Sequence, residues 1–319
     1  MTEFIARMKK ERRIEPEVVL VAIGCVLLVV VGGGINRSFL TPSYLLQQLQ
    51  VGTFYGIIAT GAMFVILLGH IDLSVPWTVT GTAILMTTMA GHSDPVISAL
   101  AMPTALLAGA VIGTLNGIGV AIFRIPSMVW TLAMNSILLG LSVFLTSGHK
   151  PKGHCPQILI TIAHGKTLGI PNAILAWVVV GCTAAFMLRR TIFGKYLYAL
   201  GNSEKAVYLS GVRSRLVVTL TFTAAGVLTA MGGMLLAGYA NQAYQGMGDA
   251  LTMPILAAVV IGGTSILGGR GTYLGTVLGV VFITLLSSIL SVMQMPDAVR
   301  QIIFGAMIIL ILLFHRFRS

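Results

Sequence analysis

The feature that most limits what this chain can fold into is a succession of apolar stretches. Each is near the ~20 residues that a helix needs to cross a hydrocarbon core. They fall near 17–35, 50–69, 74–91, 96–123, 127–147, 172–188, 216–238, 251–268, 272–293 and 299–314, the third and sixth being short. The runs are long and continuous and lack the period-two alternation of barrel strands, so helices are implied. Charged residues make up 9% of the 319, against about 25% in a soluble domain. Such a chain cannot cover a water-facing surface, and most of its exterior must face the lipid bilayer. The expectation is an all-α, polytopic transmembrane helix bundle of about ten spans, forming a single domain over 1–319. Pro103 should kink the fourth span.

The net charge is +11, which by itself looks like a nucleic-acid signal. No soluble domain carries it, however, and no nucleic-acid partner is expected. The bases cluster in short loops, the pattern that sets membrane orientation. With an even number of spans and the N-terminus inside, only Arg37, Lys150, Lys152, Lys166 and Arg300 of the 20 Lys and Arg lie outside. Both termini are therefore expected to be cytoplasmic. Residues 148–171 then form an outer, periplasmic loop and 189–215 a cytoplasmic loop. The first span is expected to stay uncleaved, since no convincing small-residue site follows it. Cys25 and Cys182 read as small core residues, and Cys155 lies in a loop. No short internal repeat stands out.

The sequence holds no engine of its own. Ionisable groups inside a membrane are costly and usually functional. Among the nine acids only Asp72 has apolar runs close on both sides. A P-loop needs G-x-x-x-x-G-K-[ST]. Gly165-Lys166-Thr167 supplies its end, but Ile160 stands where its first glycine belongs. No Ser/His/Asp, Cys/His or paired-carboxylate constellation appears, so the chain is expected not to be an enzyme. It is also expected to bind no cofactor or metal. His149, His154, Cys155 and His164 share the outer loop, but four such residues in an open loop are weak grounds for a metal site. A membrane protein without an engine is a channel, a passive carrier, an integral enzyme or a scaffold, or it borrows energy from a partner.

Residues 189–215 offer a docking surface for such a partner. Phe193-Gly194-Lys195 reads as a turn. Asn202 or Ser203 can N-cap a short helix through Glu204, Ala206 and Leu209, which Gly211 can end. That helix could seat in a partner's groove or rest on lipid headgroups.

Four segments carry a resemblance. Gly69-His70-Ile71-Asp72-Leu73-Ser74-Val75 looks like a G-G-I-D-L-S-V-G motif. Pro126-Ser127 with Thr131-Leu132 looks like a P-x-x-x-x-T-L stretch. Thr191-x-Phe193-Gly194-Lys195 through Ala199-x-Gly201-Asn202 to Leu209-Ser210-Gly211-Val212 looks like T-x-F-G-R…A-x-G-x-N…L-S-G-I. Ala257 to Ser265 with Gly268-Gly269-x-Gly271 looks like A-A-V-V-I-G-G-T-S-L-x-G-G-x-G. In this order they resemble the permeases of bacterial ribose, xylose, arabinose and galactoside ABC importers, and more distantly branched-chain amino-acid permeases. The resemblance implies a sugar permease of the bacterial inner membrane. It implies a second permease as partner, a cytoplasmic ABC ATPase subunit that uses the ATP, and a periplasmic sugar-binding protein. It assigns ATPase coupling to Phe193, Gly194, Gly201, Asn202, Glu204, Ala206, Leu209 and Gly211. His70, Pro76 and Lys195 depart from the motifs, the first two near the expected pathway.

Six residues are candidates for the substrate pathway. Asp72 and Ser74 can cap the third helix or line an interrupted helix, as in transporters. Asn116 and Asn135 sit inside spans, where a buried amide needs a bonded partner or a wet cavity. Thr264 and Ser265 can bond their own backbone or gate the exit. Gly109-x-x-x-Gly113-x-x-x-Gly117 and Gly271-x-x-x-Gly275-x-x-x-Gly279 should form close helix contacts, within the subunit or across a dimer. The rival reading is a stand-alone facilitator or channel for a small polar solute.

Overall fold

The computed structural model describes residues 16–147 and 153–318, without the side chains of 312 and 314–318. The basic N-terminal residues, His149, Lys150 and Lys152 lie outside these. The helices are α1 Pro16–Ile35, α2 Pro42–Leu67, α3 Val75–Ala90, α4 Pro95–Ala99, α5 Ala101–Ala121, α6 Ser127–Thr146, α7 Gln157–His164, α8 Asn172–Arg190, α9 Ile192–Asn202, α10 Glu204–Leu209, α11 Ser214–Ala240, α12 Thr252–Ile261, α13 Tyr273–Val292 and α14 Asp297–Arg318. Seven of the described helices are long and apolar enough to cross a membrane: α1, α2, α5, α6, α8, α11 and α13. The chain is thus a multi-pass helical bundle. Every expected span position holds helix, but two hold short ones, the 16-residue α3 and the 10-residue α12.

Helices α2, α3 and α11 form the centre, with most of α2 buried. Helices α1, α6 and α8 expose Leu20, Phe144 and Val179 on their outer faces, as expected where lipid replaces water. Hydroxyls inside these helices are satisfied locally. Thr60, Thr80, Thr82, Thr87 and Thr221 each donate to the carbonyl four residues back, so they fit an apolar helix without a remote partner.

Small residues set a close crossing within the subunit between α5 and α11. A Cβ on Gly113 would strike the Phe222 carbonyl, and one on Gly109 or Gly117 would fall 2.6 Å from Ala230 or Thr219. Thr114 and Thr223 join their hydroxyls across the same contact at 2.8 Å. The second glycine face packs likewise, Gly275 against the Gly262 carbonyl and Gly279 against that of Ala258.

Four expectations need correction. The second span starts at Pro42, not 50, because Gln47, Gln48 and Gln50 are helical. Their polarity imitates a loop, yet the Gln50 amide is buried and donates to the Ala163 carbonyl at 2.5 Å. Pro103 does not kink a span: it sits in the first turn of α5, where its missing N–H would be unpaired anyway. The interruption falls at Leu100, between α4 and α5. The outer loop is partly built: α7 buries Leu159 and Ala163, and a hairpin pairs Lys166–Thr167 with Ile170–Pro171. Phe193-Gly194-Lys195 is no turn but the start of α9.

An internal correspondence that the sequence reading missed is visible in three dimensions. The two short helices open alike, Leu73-Ser74-Val75-Pro76 at α3 and Leu251-Thr252-Met253-Pro254 at α12. The first follows the non-helical residues 68–74 and the second a 3-10 turn at Asp249–Leu251, and the approach to α12 touches α3. The Gly248 amide donates to Thr80 Oγ1 at 3.1 Å, and only a hydrogen side chain at Gly248 clears the Pro76 carbonyl.

Candidate functional site

Between α2 and α3 the chain leaves the helix for residues 68–74. Gly69 makes the turn with φ +79°, a conformation open to glycine. Leu68, Gly69 and His70 N still donate to carbonyls of α2, but Ile71 and Leu73 N do not, and an unpaired amide in a low-dielectric interior costs about 1–3 kcal/mol. Helix α6 supplies the replacements. Ser127 Oγ accepts from Ile71 N at 3.2 Å, Thr131 Oγ1 from Leu73 N at 2.9 Å and Asn135 Oδ1 from Trp77 N at 3.3 Å. These three residues are spaced four apart, so they form one polar stripe on an apolar helix. Pro76, lacking an N–H, stands in the first turn of α3 where none is needed.

Asp72 completes the start of α3. Its Oδ1 accepts from Ser74 N at 2.9 Å and from Ser74 Oγ at 2.6 Å. Ser74 occupies the N-cap position but its own side chain caps nothing. Its Oγ instead accepts from Asn116 Nδ2 at 2.8 Å, which ties α5 to the break. Asn116 Oδ1 is buried without a hydrogen-bond partner among the described residues. Four candidates, Asp72, Ser74, Asn116 and Asn135, thus converge on one interruption. Ser127 and Thr131 belong with them. Thr131 lies in a motif noted above, and the four-residue polar spacing on α6 was a signal that the sequence reading did not use.

Thr264 and Ser265 lie elsewhere, in the glycine-rich loop after α12. The Thr264 hydroxyl is buried beside Gly271 and makes no hydrogen bond to the described residues, so it does not bond its own backbone. Ser265 turns the loop through its main chain, its N donating to the Arg270 carbonyl at 2.9 Å.

This loop is the junction between the break and the segment formed by α9 and α10. Gly269 N donates to the Leu67 carbonyl at 2.9 Å, at the end of α2. Gly201, in α9, abuts both the Leu67 carbonyl and Gly269. Asn202 Nδ2 donates to the Gly269 carbonyl at 3.2 Å, and Tyr198 Oη to that of Gly271 at 2.9 Å. Within that segment Thr191 caps α9 by accepting from Gly194 N, and Ser203 caps α10 by accepting from Ala206 N at 3.3 Å. Gly211 follows α10 with φ +78°. Gly194 packs on the Met187 and Leu188 carbonyls, and Phe193 lies against the core. Glu204 pairs with Arg124 at 2.7 Å, joining α10 to the turn before α6. Leu209 and Tyr208 are 84% and 71% exposed, so α10 presents apolar side chains outward. Ala206, beside them, is exposed as well.

Among the described residues no group of three or more His, Cys, Asp or Glu could hold a metal ion. His164 instead stacks on Tyr239 at 5.1 Å.

A family model described as the permease component of a branched-chain amino acid transport system matches residues 44–312. The chain is 32% identical to the ribose import permease protein RbsC of Bacillus subtilis, with 93% of this chain and 92% of that protein covered. It is 30% identical to the L-arabinose ABC transporter permease protein AraH of Azospirillum brasilense, covering 88% of this chain and 82% of that one. It is 32% identical to the autoinducer 2 import system permease protein LsrC of Salmonella paratyphi B, covering 92% and 84%. No solved structure matches. An interrupted helix at the core, joined through glycines to an exposed segment, is therefore found in a chain that belongs to the branched-chain amino acid transport system permease family, alongside the import permeases for ribose, arabinose and autoinducer 2.

Proposed function

We propose that this chain is the membrane-spanning subunit of an ABC importer that moves a sugar (a pentose, hexose or related polyol) from periplasm to cytoplasm. It would work in the bacterial inner membrane, paired with a second permease, itself or a paralogue. A cytoplasmic ATPase would dock on α9 and α10, and a periplasmic binding protein would deliver the sugar to the outer face. The observation that carries this reading is the unbroken contact line from Asn202 and Gly201, through Gly269, to Leu67 and the Gly69 turn. A shift of α9 is passed to the interrupted helix because none of these contacts has room to absorb it. The exposed Tyr208 and Leu209 give a partner apolar anchors. The sugar substrate is supported by the relatives, two of which are a ribose import permease and an L-arabinose transporter permease.

Alternating access follows: ATP binding and hydrolysis on the partner move α9 and α10, and the break between α2 and α3 changes which side the cavity meets. The test is reconstitution in proteoliposomes with the ATPase and binding protein. Uphill uptake that stops without ATP supports the reading. Equal flux by the permease alone would establish the facilitator or channel instead.

A further inference from the structure

A cavity of about 300 Å³ lies between α2, α13 and the start of α14, remote in sequence from the interrupted helix. That volume is at the lower end of small-molecule sites, about 300–1,000 Å³. Its walls are unusual for spans this apolar. Helix α2 contributes Tyr44, Gln48, Val51 and Tyr55, and helix α13 contributes Thr284, Ser287, Ser288 and Ser291. Both sets recur at three- and four-residue intervals, so each is one face of its helix. Two polar faces therefore confront each other where two apolar faces would pack more cheaply.

The hydrogen bonding divides these groups into two kinds. Thr284 and Ser287 donate to carbonyls of their own helix, and Tyr44 and Ser288 join their hydroxyls at 2.6 Å. The Gln48 amide, the Tyr55 hydroxyl and the Ser291 hydroxyl make no hydrogen bond to the described residues. Arg300 closes the end, its Nε donating to the Met295 carbonyl at 3.0 Å and its Nη1 paired with Asp297 at 3.3 Å. The pairing leaves the rim with little net charge. Free amide, phenol and hydroxyl groups around a small space, with the paired Arg300 guanidinium at its rim, match a ligand that offers several hydroxyls and no charge.

A second cavity adjoins it. A wider cavity of about 750 Å³ at the α7 end is lined by Ser43, Gln47, Gln50, His164 and Lys166, and Tyr44 lines both spaces. The Tyr44–Ser288 bond stands at the boundary between them.

We infer that the space between α2 and α13 is a recognition site for one neutral polyhydroxylated molecule of monosaccharide size, with Gln48, Tyr55, Ser291 and Arg300 as its contacts. This rests on the importer reading and names where that importer selects its cargo inside the membrane. Its hydroxyl-bearing walls exchange the ligand's bonds to water for bonds to protein, which is the requirement for taking a sugar into a low-dielectric bundle.

The test replaces Cys25, Cys155 and Cys182 with serine in the complete importer and introduces Ser287→Cys or Ser291→Cys. A membrane-impermeant thiol reagent is applied with and without D-ribose, L-arabinose, D-galactose or D-sorbitol. Labelling that at least one of these slows is the expected result. Tyr55→Phe or Gln48→Leu should then raise the protective concentration about tenfold, each removing one bond to the ligand. No labelling at either position, or labelling that no member of the panel slows, overturns the site. Unchanged half-saturation of ATP-dependent uptake in Tyr55→Phe and Gln48→Leu, with both variants monodisperse, also overturns it while leaving the importer intact. ATP-independent flux would instead strike the importer reading, and the protection assay would still report on the cavity.

Discussion

The carboxamide of Asn202 donates to the carbonyl of Gly269 at 3.2 Å, fixing the end of α9 onto a loop 67 residues away in the chain. Beside it, Gly201 lies so close to the Leu67 carbonyl that any side chain would have to displace the main chain of α2. This contact decides how a push on the exposed segment reaches the interior. Gly201→Ala should therefore lower stability by about 1–3 kcal/mol, the usual cost of overpacking, and reduce transport in the assembled importer by at least tenfold. Thermal unfolding in detergent and uptake assays measure the two. Wild-type values in both would show that the junction yields.

The polar stripe on α6 should behave as a unit that substitutes for lost helical bonding. Thr131→Val leaves Leu73 N without an acceptor, and Asn135→Leu does the same to Trp77 N. Each should cost about 1–3 kcal/mol, whereas Thr131→Ser keeps the hydroxyl and should cost less. Faster amide exchange at residues 71–77 in the first two variants is the specific readout, and unchanged protection there would refute the assignment.

Asp72 acts as an acceptor for Ser74 N and Oγ. Asp72→Asn keeps an oxygen in place and should retain uptake within about threefold. Asp72→Ala removes the acceptor and should lose about 1–2 kcal/mol, the range for a lost cap. Abolished uptake in Asp72→Asn, with the protein folded, would mean that the charge itself is required for passage.

Glycine has two unrelated uses on these helices. At Gly113 a side chain would meet the Phe222 carbonyl, whereas around Gly140 there is nothing within 4 Å. Gly113→Leu should abolish a monodisperse protein, and Gly140→Leu should be neutral within about 0.5 kcal/mol. Size-exclusion profiles of the two separate the cases. Equal profiles would show that the α5–α11 crossing can open.

Cys155, in the loop before α7, is buried, and burial pushes its thiol up to about 11. The reactive form is the thiolate, so at pH 8 only about one thiol in a thousand is reactive. Labelling by a thiol reagent should stay slow at pH 7–8 and rise about tenfold per pH unit up to about pH 10. Rapid labelling at pH 7 would place this loop in an open arrangement.

Much of this could be read from the chain itself. A near-absence of charge over stretches of membrane length leaves helices as the way to satisfy every backbone group, so the class and the positions of the helices followed directly. Local chemistry was nearly as plain where it depended on neighbours in sequence: Asn202 or Ser203 as the cap of α10, of which the structure uses Ser203, Gly211 beyond its end, and the glycines spaced four apart on α5. Only the folded molecule decided where helices stop short. An apolar residue such as Ile71 or Leu73 looks the same to a hydropathy average whether it is helical or extended, because the amides of Ile71 and Leu73 are satisfied by Ser127 and Thr131, more than fifty residues away. For the same reason Gln48 and Gln50 imitated a loop, although one is buried on a distant carbonyl and the other faces a cavity made by α13. Sequence sets what each segment must bury, and tertiary contact sets what satisfies the polar groups that go with it.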